Sequence, residues 1–124
     1  MPGSDIAGTV EATGSAVTMF APGDEVFGIC TWPSSGACAE YAPADANTLA
    51  RKPSGLSFEQ AAALPTSASA ALHGLRDAGR LQAGQRVLVN GASGGVGTYA
   101  VQIARALGAE VTGVCGPTNV ELVR

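Results

Sequence analysis

The sequence predicts an α/β fold in two parts, a small β-barrel or curled sheet followed by a strand–helix–strand unit with parallel strands. Period-two alternation and Gly/Pro turns fill the first part of the chain, up to about residue 52. Helical signals begin near residue 53. From residue 86 an apolar strand, a glycine-rich loop and an amphipathic helix follow one another.

Composition excludes several classes of function. The 124 residues are 46% hydrophobic and 14% charged, with a formal net charge of −3 and no basic run, so nucleic acid is not an expected partner. The chain has no apolar stretch long enough for a membrane span and no secretory signal, so we expect a cytoplasmic protein without a membrane partner. Cys30, Cys38 and Cys115 lack metal-ligand spacing and are expected to be free thiols.

The first predicted part consists of short strands. Residues 6–13 alternate with period two and include β-branched side chains, which predicts a strand. Residues 22–24 (Pro-Gly-Asp) predict a turn, and residues 25–28 a second strand. Residues 37–41 alternate again, with Ala37, Ala39 and Tyr41 on one face, and predict a third strand. Short strands joined by such turns indicate a small barrel.

Helices are predicted next. Ser57 and Gln60 have capping-box spacing: the Ser57 hydroxyl can accept from the Gln60 amide N–H, and the Gln60 side chain can reach back. This short helix is expected to stop at Pro65. Residues 66–78 are expected to form a second helix that Gly79 caps.

The strand–helix–strand unit follows. Residues 86–90 predict a buried strand, and residues 110–114 predict a second strand. The helix between them is expected to end at Gly108 and to present one apolar face, formed by Val96, Ala100, Ile103 and Leu107. Parallel strands need such a crossover, which is expected to be right-handed.

Four glycines lie within seven residues between this strand and its helix. A phosphate needs N–H donors and the positive end of a helix, and a side chain at the closest point would block it. The pattern Ala92-x-Gly94-x-x-Gly97 fits a dinucleotide-binding loop, with Ala at the tight turn, Gly94 beneath the pyrophosphate and Gly97 at the helix–strand contact. The predicted cofactor-binding residues of this loop are Ala92, Ser93, Gly94, Gly95, Val96 and Gly97. A helix packed tightly on a strand, and a methyltransferase-type loop, are the alternatives.

No acidic residue stands where the second strand ends. In NAD sites an Asp or Glu about 20 residues beyond the loop bonds the ribose hydroxyls. Here residues 114–119 read Val-Cys-Gly-Pro-Thr-Asn. An acid would repel a 2′-phosphate, so its absence predicts NADP, with Cys115, Thr118 and Asn119 near the phosphate. Binding of NAD by other groups is the alternative.

Three ordered stretches resemble the medium-chain dehydrogenase/reductase superfamily, in its zinc-free quinone oxidoreductase branch. Residues 2–28 resemble its GroES-like segment, residues 56–79 its connecting helices, and residues 84–114 the first half of its Rossmann domain. The resemblance implies a partial GroES-like β-barrel domain at 1–52, connecting helices at 53–84, and the N-terminal part of a Rossmann NADP-binding domain at 85–124.

The same resemblance implies that both ends of the sequence are cut, so little reductase activity is expected from this segment alone. A short-chain dehydrogenase loop (TGxxxGxG) is a rival resemblance. It is disfavoured because about 90 residues precede the loop and the chain has no Tyr-x-x-x-Lys pair.

The resemblance also implies that no metal is bound. Zinc-dependent relatives have a histidine ligand where this chain has Ser4 and a cysteine ligand near Thr66, and their four-cysteine lobe is missing here. Neutral hydroxyls do not replace imidazole and thiolate on Zn²⁺. Thr66 is instead carried over as a cofactor-binding position. Ala70 stands where the branch often has Thr near the nicotinamide, and Thr118 where close relatives offer Arg.

The function implied by the resemblance is NADPH-dependent reduction of quinones or α,β-unsaturated carbonyls, which are small-molecule substrates, by a homodimeric parent protein. No catalytic residue is assigned, because Tyr41 is interpreted as a packing residue and His73 as a surface or packing residue. Trp32 either anchors its loop or lines a substrate cleft. Two alternatives stay open: a non-catalytic NADPH-binding protein, and an enoyl-reductase domain of a multidomain synthase.

Overall fold

The computed structural model describes residues 2–30 and 36–124, so the prediction for Trp32 lies outside the described residues. The chain forms two compact units, residues 1–66 and residues 67–124. Their boundary falls within the predicted connecting segment, and the predicted domain ranges stay a prediction. In the described ranges no helix is long and apolar enough to cross a bilayer.

The first unit contains a three-stranded antiparallel sheet. Its strands are β1 (Asp5–Thr9), β2 (Glu25–Ile29) and β3 (Leu49–Arg51), in the order β1-β2-β3. The turn that joins β1 to β2 is the predicted one, and Gly23 adopts a φ of +94° there. β1 is shorter than predicted, because after Thr9 the chain leaves the ladder and Val10 bonds to Asp24 and Gly23 instead.

The predicted third strand was wrong. Residues 37–41 form no strand: the N–H groups of Ala37 and Cys38 each make a single 3.3 Å bond to residues 3 and 2, and Tyr41 is 73% exposed. Alternating alanines offer too little apolar surface to select a sheet face. β3 pairs with β2 instead, and a Cβ at Gly28 would collide with the Thr48 carbonyl, so glycine permits this pairing.

Local signals for the first helix were correct. α1 (Phe58–Ala62) begins after Ser57, whose Oγ accepts from the Gln60 N–H at 3.2 Å while Gln60 Oε1 accepts from the Ser57 N–H at 2.9 Å. α2 (Pro65–Leu72) begins at a proline, where the missing N–H costs nothing.

The end of the second helix differs from the prediction in its details. A π-helical segment, His73–Ala78, follows α2 and ends at Gly79. Gly79 is not left-handed; its N–H bonds the Gly74 carbonyl at 2.9 Å, and a Cβ there would lie 2.7 Å from that oxygen. The left-handed residue is Arg80, with a φ of 48°.

The second unit contains a two-stranded parallel sheet and its crossover helix. β4 (Arg86–Asn90) pairs in parallel with β5 (Glu110–Val114), and α3 (Gly95–Ala106) joins them, as the sequence pattern predicts. A 3₁₀ turn, Pro117–Asn119, and α4 (Val120–Val123) follow β5. The core of the unit consists of Ala71, Val89, Ala92 and Ala100.

One burial prediction for this unit was wrong, and another was correct only in part. Of β4 only Val89 is buried, and Leu88 is 65% exposed, because the described sheet has only one other strand. The buried face of α3 consists of Gly97, Ala100 and Ala104, whereas Val96 is 46% exposed. Of the predicted face, Ala100 is buried and Ile103 packs against the core, and the face also includes the small residues Gly97 and Ala104, which let the helix lie close to the loop.

Candidate nucleotide-binding site

The glycine loop makes a tight turn between β4 and α3. Gly91 follows β4 with a φ of +75°, a conformation that glycine adopts without steric cost. Its carbonyl accepts from the Gly94 N–H at 2.9 Å. Gly94 is the N-cap of α3 with extended backbone, and its carbonyl accepts from the Thr98 N–H at 3.0 Å.

Ala92 fits the tight turn because the left-handed residue is its neighbour Gly91. Ala92 is fully buried, and its N–H donates to the Val114 carbonyl at 2.9 Å, which ties the loop to the end of β5. A Cβ added at Gly113 would lie 3.1 Å from the Ala92 Cβ, so the alanine methyl occupies space that Gly113 leaves open.

Gly97 is required by a close backbone contact. A Cβ at this position would overlap the Gly91 carbonyl oxygen and approach the Ala92 Cα within 2.9 Å. The sequence predicted a glycine at the contact between helix and strand; the structure places the contact on the loop that leaves the strand. Gly97 therefore fixes how closely α3 lies on the turn.

Gly95 is not required by such a contact, and the contact at Gly94 is milder than that at Gly97. A Cβ at Gly94 would meet only the Gly91 oxygen at 3.3 Å, and a Cβ at Gly95 would meet only Ser67 Oγ at an ordinary 3.5 Å. Both residues and Val96 are exposed at the start of a 12-residue helix that has no acidic residue in its first turn. The first N–H groups of such a helix lack intrahelical acceptors and carry partial positive charge, an arrangement that can bind an anion.

The turn after β5 approaches this loop. Cys115 is half-buried, and Thr118 and Asn119 are exposed. The Asn119 Nδ2 donates to Ser93 Oγ at 3.3 Å. This hydrogen bond joins the two predicted cofactor-binding stretches, the glycine loop and the turn after β5. Neither stretch, 91–97 or 114–119, contains a charged side chain. The nearest following acid, Glu121, pairs with Arg124 at 2.8 Å.

Thr66 lies in the first unit and binds Asp5. Its N–H donates to Asp5 Oδ2 at 2.9 Å and its hydroxyl to Asp5 Oδ1 at 2.5 Å, while Ser4 Oγ donates to Oδ1 at 3.1 Å. Ser4 and Thr66, the two positions compared with zinc ligands, thus meet at one carboxylate. Sequence reasoning missed Asp5, because its partner lies 61 residues away and no local pattern joins them. The cofactor role of Thr66 stays a prediction.

The other candidate residues have surface or structural positions. The His73 side chain is 74% exposed and its Nδ1 lies 3.3 Å from Asp77 Oδ2, in agreement with a surface role. Hydrogen bonding to Arg76, with His73 as a lesser cause, lowers the pKa of Asp77. Exposed Tyr41 is not the packing residue that the alternation indicated.

The three cysteines are free thiols, as predicted. Burial raises the pKa of Cys30, which is 1% exposed, and makes it less reactive. Within residues 2–30 and 36–124, no group of three or more His, Cys, Asp or Glu side chains is placed to hold a metal ion. Absence of zinc from the protein stays a prediction.

Residues 1–65 match the family described as the alcohol dehydrogenase GroES-like domain. Curated relatives extend the similarity across the chain. A quinone oxidoreductase of Pongo abelii is 46% identical over 115 residues, which are 93% of this chain and 34% of that protein. The pikromycin polyketide synthase component PikAII of Streptomyces venezuelae is 48% identical over 111 residues, 90% of this chain and 3% of that protein.

A solved structure resembles the chain in three dimensions. The alcohol dehydrogenase superfamily protein from Novosphingobium aromaticivorans superimposes with a TM-score of 0.93 at 43% identity, over 98% of this chain and 37% of that one. The chain thus spans little more than a third of this protein's length, about a third of the quinone oxidoreductase, and a small part of the synthase component.

Proposed function

The chain belongs to the medium-chain dehydrogenase/reductase superfamily, in its quinone oxidoreductase branch, and from this membership we propose that the whole protein is an NADPH-dependent reductase of quinones or α,β-unsaturated carbonyls. The observation that carries the proposal is Gly95, the first residue of α3. Glycine is disfavoured within a helix on propensity alone, and no contact within the chain demands it at this position. A ligand that lies against the backbone supplies the missing reason.

The donor set fits a nucleotide. The first N–H groups of α3, at Gly95, Val96 and Gly97, point out of the helix end as donors for phosphate oxygens. The loop lies where two parallel strands end, the usual place for dinucleotides in α/β sheets. On this basis β4, α3 and β5 open a Rossmann domain, and Ala92, Ser93 and Gly94 line its phosphate loop.

Quinones and enones are electrophilic at carbon, and the nicotinamide supplies a hydride to that carbon when it is bound. The part of this chain is to bind and orient the dinucleotide: α3 stabilises the negative charge of the phosphates, and the exposed glycines allow close approach. Thr66, with both its N–H and its hydroxyl committed to Asp5, retains oxygen lone pairs and can act only as an acceptor. We assign no proton donor.

Preference for NADPH over NADH rests on the turn after β5. Cys115 stands where NAD-using relatives have an acid, so nothing at this position repels a 2′-phosphate. The preference is modest, because Thr118 lacks the charge of arginine. Cys115→Asp is expected to shift the kcat/KM ratio toward NADH, and Thr118→Arg to shift it toward NADPH. This assignment would be contradicted if the unsubstituted protein prefers NADH and its kcat/KM ratio does not change on Thr118→Arg.

The proposed reaction is tested by NADPH oxidation at 340 nm with 1,4-benzoquinone, an α,β-unsaturated ketone and an enoyl thioester as separate acceptors. Saturable NADPH binding, with turnover that depends on the quinone or enone, is the expected result. Absence of NADPH binding by a folded protein would overturn the cofactor assignment. We also propose that the protein binds no zinc and forms a homodimer. Elemental analysis that finds one Zn per chain would contradict the first proposal, and a monomeric mass by light scattering would contradict the second.

Two other functions remain as proposals. The polyketide synthase relative favours an enoyl-reductase domain of a multidomain synthase, for which the enoyl thioester would be much the best acceptor and the reading frame would encode further synthase domains. A non-catalytic NADPH-binding protein would bind the cofactor with similar affinity but oxidise it with none of the three acceptors.

A further inference from the structure

Asn90 and Gly91 form an Asn-Gly dipeptide where β4 passes into the glycine loop. Asn90 is the last residue of the parallel ladder and is exposed. Gly91 has a φ of +75°, and a Cβ built on it would meet no atom within 4 Å. The chain has two other asparagines, Asn47 and Asn119, and glycine follows neither of them. Asn90 is therefore chemically distinct among the asparagines of this sequence.

An asparagine followed by glycine can be converted to an acid by water alone. The backbone nitrogen of the glycine attacks the side-chain Cγ, so that a new C–N bond forms, and the bond from Cγ to Nδ2 breaks as ammonia leaves. Water then opens the resulting succinimide ring at one of its two carbonyls, which gives aspartate or isoaspartate. Glycine favours the first step because it has no Cβ to hinder ring closure and adopts the required backbone angles freely.

The two groups that would react at Asn90 are not held by competing hydrogen bonds. In residues 2–30 and 36–124, no carbonyl accepts from the Gly91 N–H and no residue bonds the Asn90 side-chain amide. Both groups are held at Asn47: its Nδ2 donates to Asp45 Oδ1 at 3.0 Å, and the next N–H, of Thr48, donates to the Asp45 carbonyl at 2.9 Å. The structure thus favours reaction at Asn90 over reaction at Asn47.

The third asparagine is also less suited to the reaction. The Asn119 Nδ2 donates to Ser93 Oγ at 3.3 Å, and Val120 follows it in the chain. A β-branched side chain is stiff and crowds the nitrogen that would have to attack. Asn47 and Asn119 therefore serve as internal controls for any measurement on Asn90.

We propose that Asn90 is a deamidation site and that its conversion weakens nucleotide binding at the glycine loop. The product places a carboxylate next to residues 91–97, which carry no charged side chain, and this charge repels a phosphate. Isoaspartate also adds one backbone bond before Gly91, whose carbonyl lies so close to Gly97 that a Cβ on Gly97 would overlap it. The modification itself is independent of the proposed function, whereas its effect on binding rests on it.

The modification is tested by incubating the folded protein for days at mildly alkaline pH and mapping its tryptic peptides by mass spectrometry. Trypsin places the three asparagines in separate segments, which end at Arg51, Arg105 and Arg124. We expect the mass increase that marks replacement of –NH₂ by –OH in segment 87–105 alone, isoaspartate in that segment by methyltransferase labelling, and slower conversion at acidic pH. An unchanged segment 87–105, or equal conversion at all three asparagines, would overturn the proposal.

The effect on binding is tested by NADPH titration of the same samples. The binding-competent fraction should fall in step with the unmodified fraction of Asn90, and fresh Asn90→Asp should bind NADPH about fivefold more weakly than fresh wild type, because of the added like charge. Asn90→Gln is the matched control, since it keeps the amide but would have to close a larger ring, which forms far more slowly. It should keep both its mass and its NADPH affinity through the incubation.

If Asn90→Gln does not fold, Asn90→Ser, which has no amide, takes its place. Conversion of Asn90 with unchanged NADPH affinity would refute the effect on the site, and an equal loss of affinity in Asn90→Gln would show that Asn90 does not cause the loss. A fresh wild type that is folded but binds neither NADPH nor NADH defeats the proposed function, whereas the peptide map decides separately whether Asn90 is modified.

Discussion

Replacing Gly95 with aspartate separates the stability of α3 from its proposed ligand. Gly95 is the first residue of the helix, is exposed, and leaves room for a Cβ at an ordinary 3.5 Å from Ser67 Oγ. Glycine costs a helix about 1 kcal/mol and aspartate at most about 0.7. An acid in the first turn adds about 0.3–1 kcal/mol through the helix dipole. We expect Gly95→Asp to raise the free energy of unfolding by about 1 kcal/mol.

The same substitution is expected to weaken NADPH binding strongly. Two unit charges about 4 Å apart repel by about 4 kcal/mol at an effective dielectric constant of 20. If solvent screening removes half of this, the remaining ~2 kcal/mol corresponds to about thirtyfold weaker binding. A variant that is more stable but binds the cofactor about thirtyfold more weakly would support a role of Gly95 toward a ligand rather than toward the fold.

The assays are urea unfolding followed by circular dichroism and NADPH titration followed by nicotinamide fluorescence. Gly95→Asn is the matched control, since it adds nearly the same volume without the charge and should lose less affinity than Gly95→Asp. The reasoning is refuted if Gly95→Asp binds NADPH as the wild type does, or if Gly95→Asn and Gly95→Asp weaken binding equally.

Four further substitutions test the fold. Gly97→Ala should lower the free energy of unfolding, measured in urea, by about 3 kcal/mol or more, because the added methyl overlaps the Gly91 carbonyl. Gly116→Ala is the control: Gly116 has open space around it and a φ of −66°, so this change should be neutral or stabilising by about 0.4–1 kcal/mol. Similar values for the two variants would contradict the close contact at Gly97. Ser57→Ala should cost about 1 kcal/mol in the same assay through loss of its cap, and no loss would mean that the cap is not formed in solution. The hydrogen bond from Arg51 lowers the pKa of Asp24 below 3.8. The stability that this bond contributes is therefore complete above pH 3.8 and declines as the pH falls through the lowered pKa. Asp24→Asn should reduce the dependence of the urea midpoint on pH in this range, and an unchanged dependence would show that the Arg51–Asp24 pair does not cause it.

Local signals in the sequence predicted local structure well. The capping box at Ser57 and the turn at Gly23 depend on residues no more than three or four positions apart, and both are present in the structure. The strand at residues 37–41 was a wrong prediction. Alternation shows only that a segment can form a strand, and it does not show which segment will pair with β2. β3, a three-residue strand, is too short to show a period at all.

Contacts between distant residues were not predictable from periodicity. Asp5 reaches Thr66 and Asn119 reaches Ser93 only because the fold brings their elements together. The sequence predicted three of these four residues, Thr66, Ser93 and Asn119, as cofactor-binding positions, but it treated each as a separate group. Pairing changes their chemistry, since one Asn119 amide hydrogen and the Thr66 hydroxyl hydrogen are used in contacts within the protein.

The glycines show most directly how fold and function can be separated in this chain. Gly91 is explained by its positive φ and Gly97 by a backbone contact, so any protein with this turn would need them. Gly95 has neither reason, and within the helix it makes the fold less stable than other residues would. Gly95 is therefore the residue on which the proposed phosphate ligand depends, because a glycine there leaves the N–H groups at the start of α3 open to close approach.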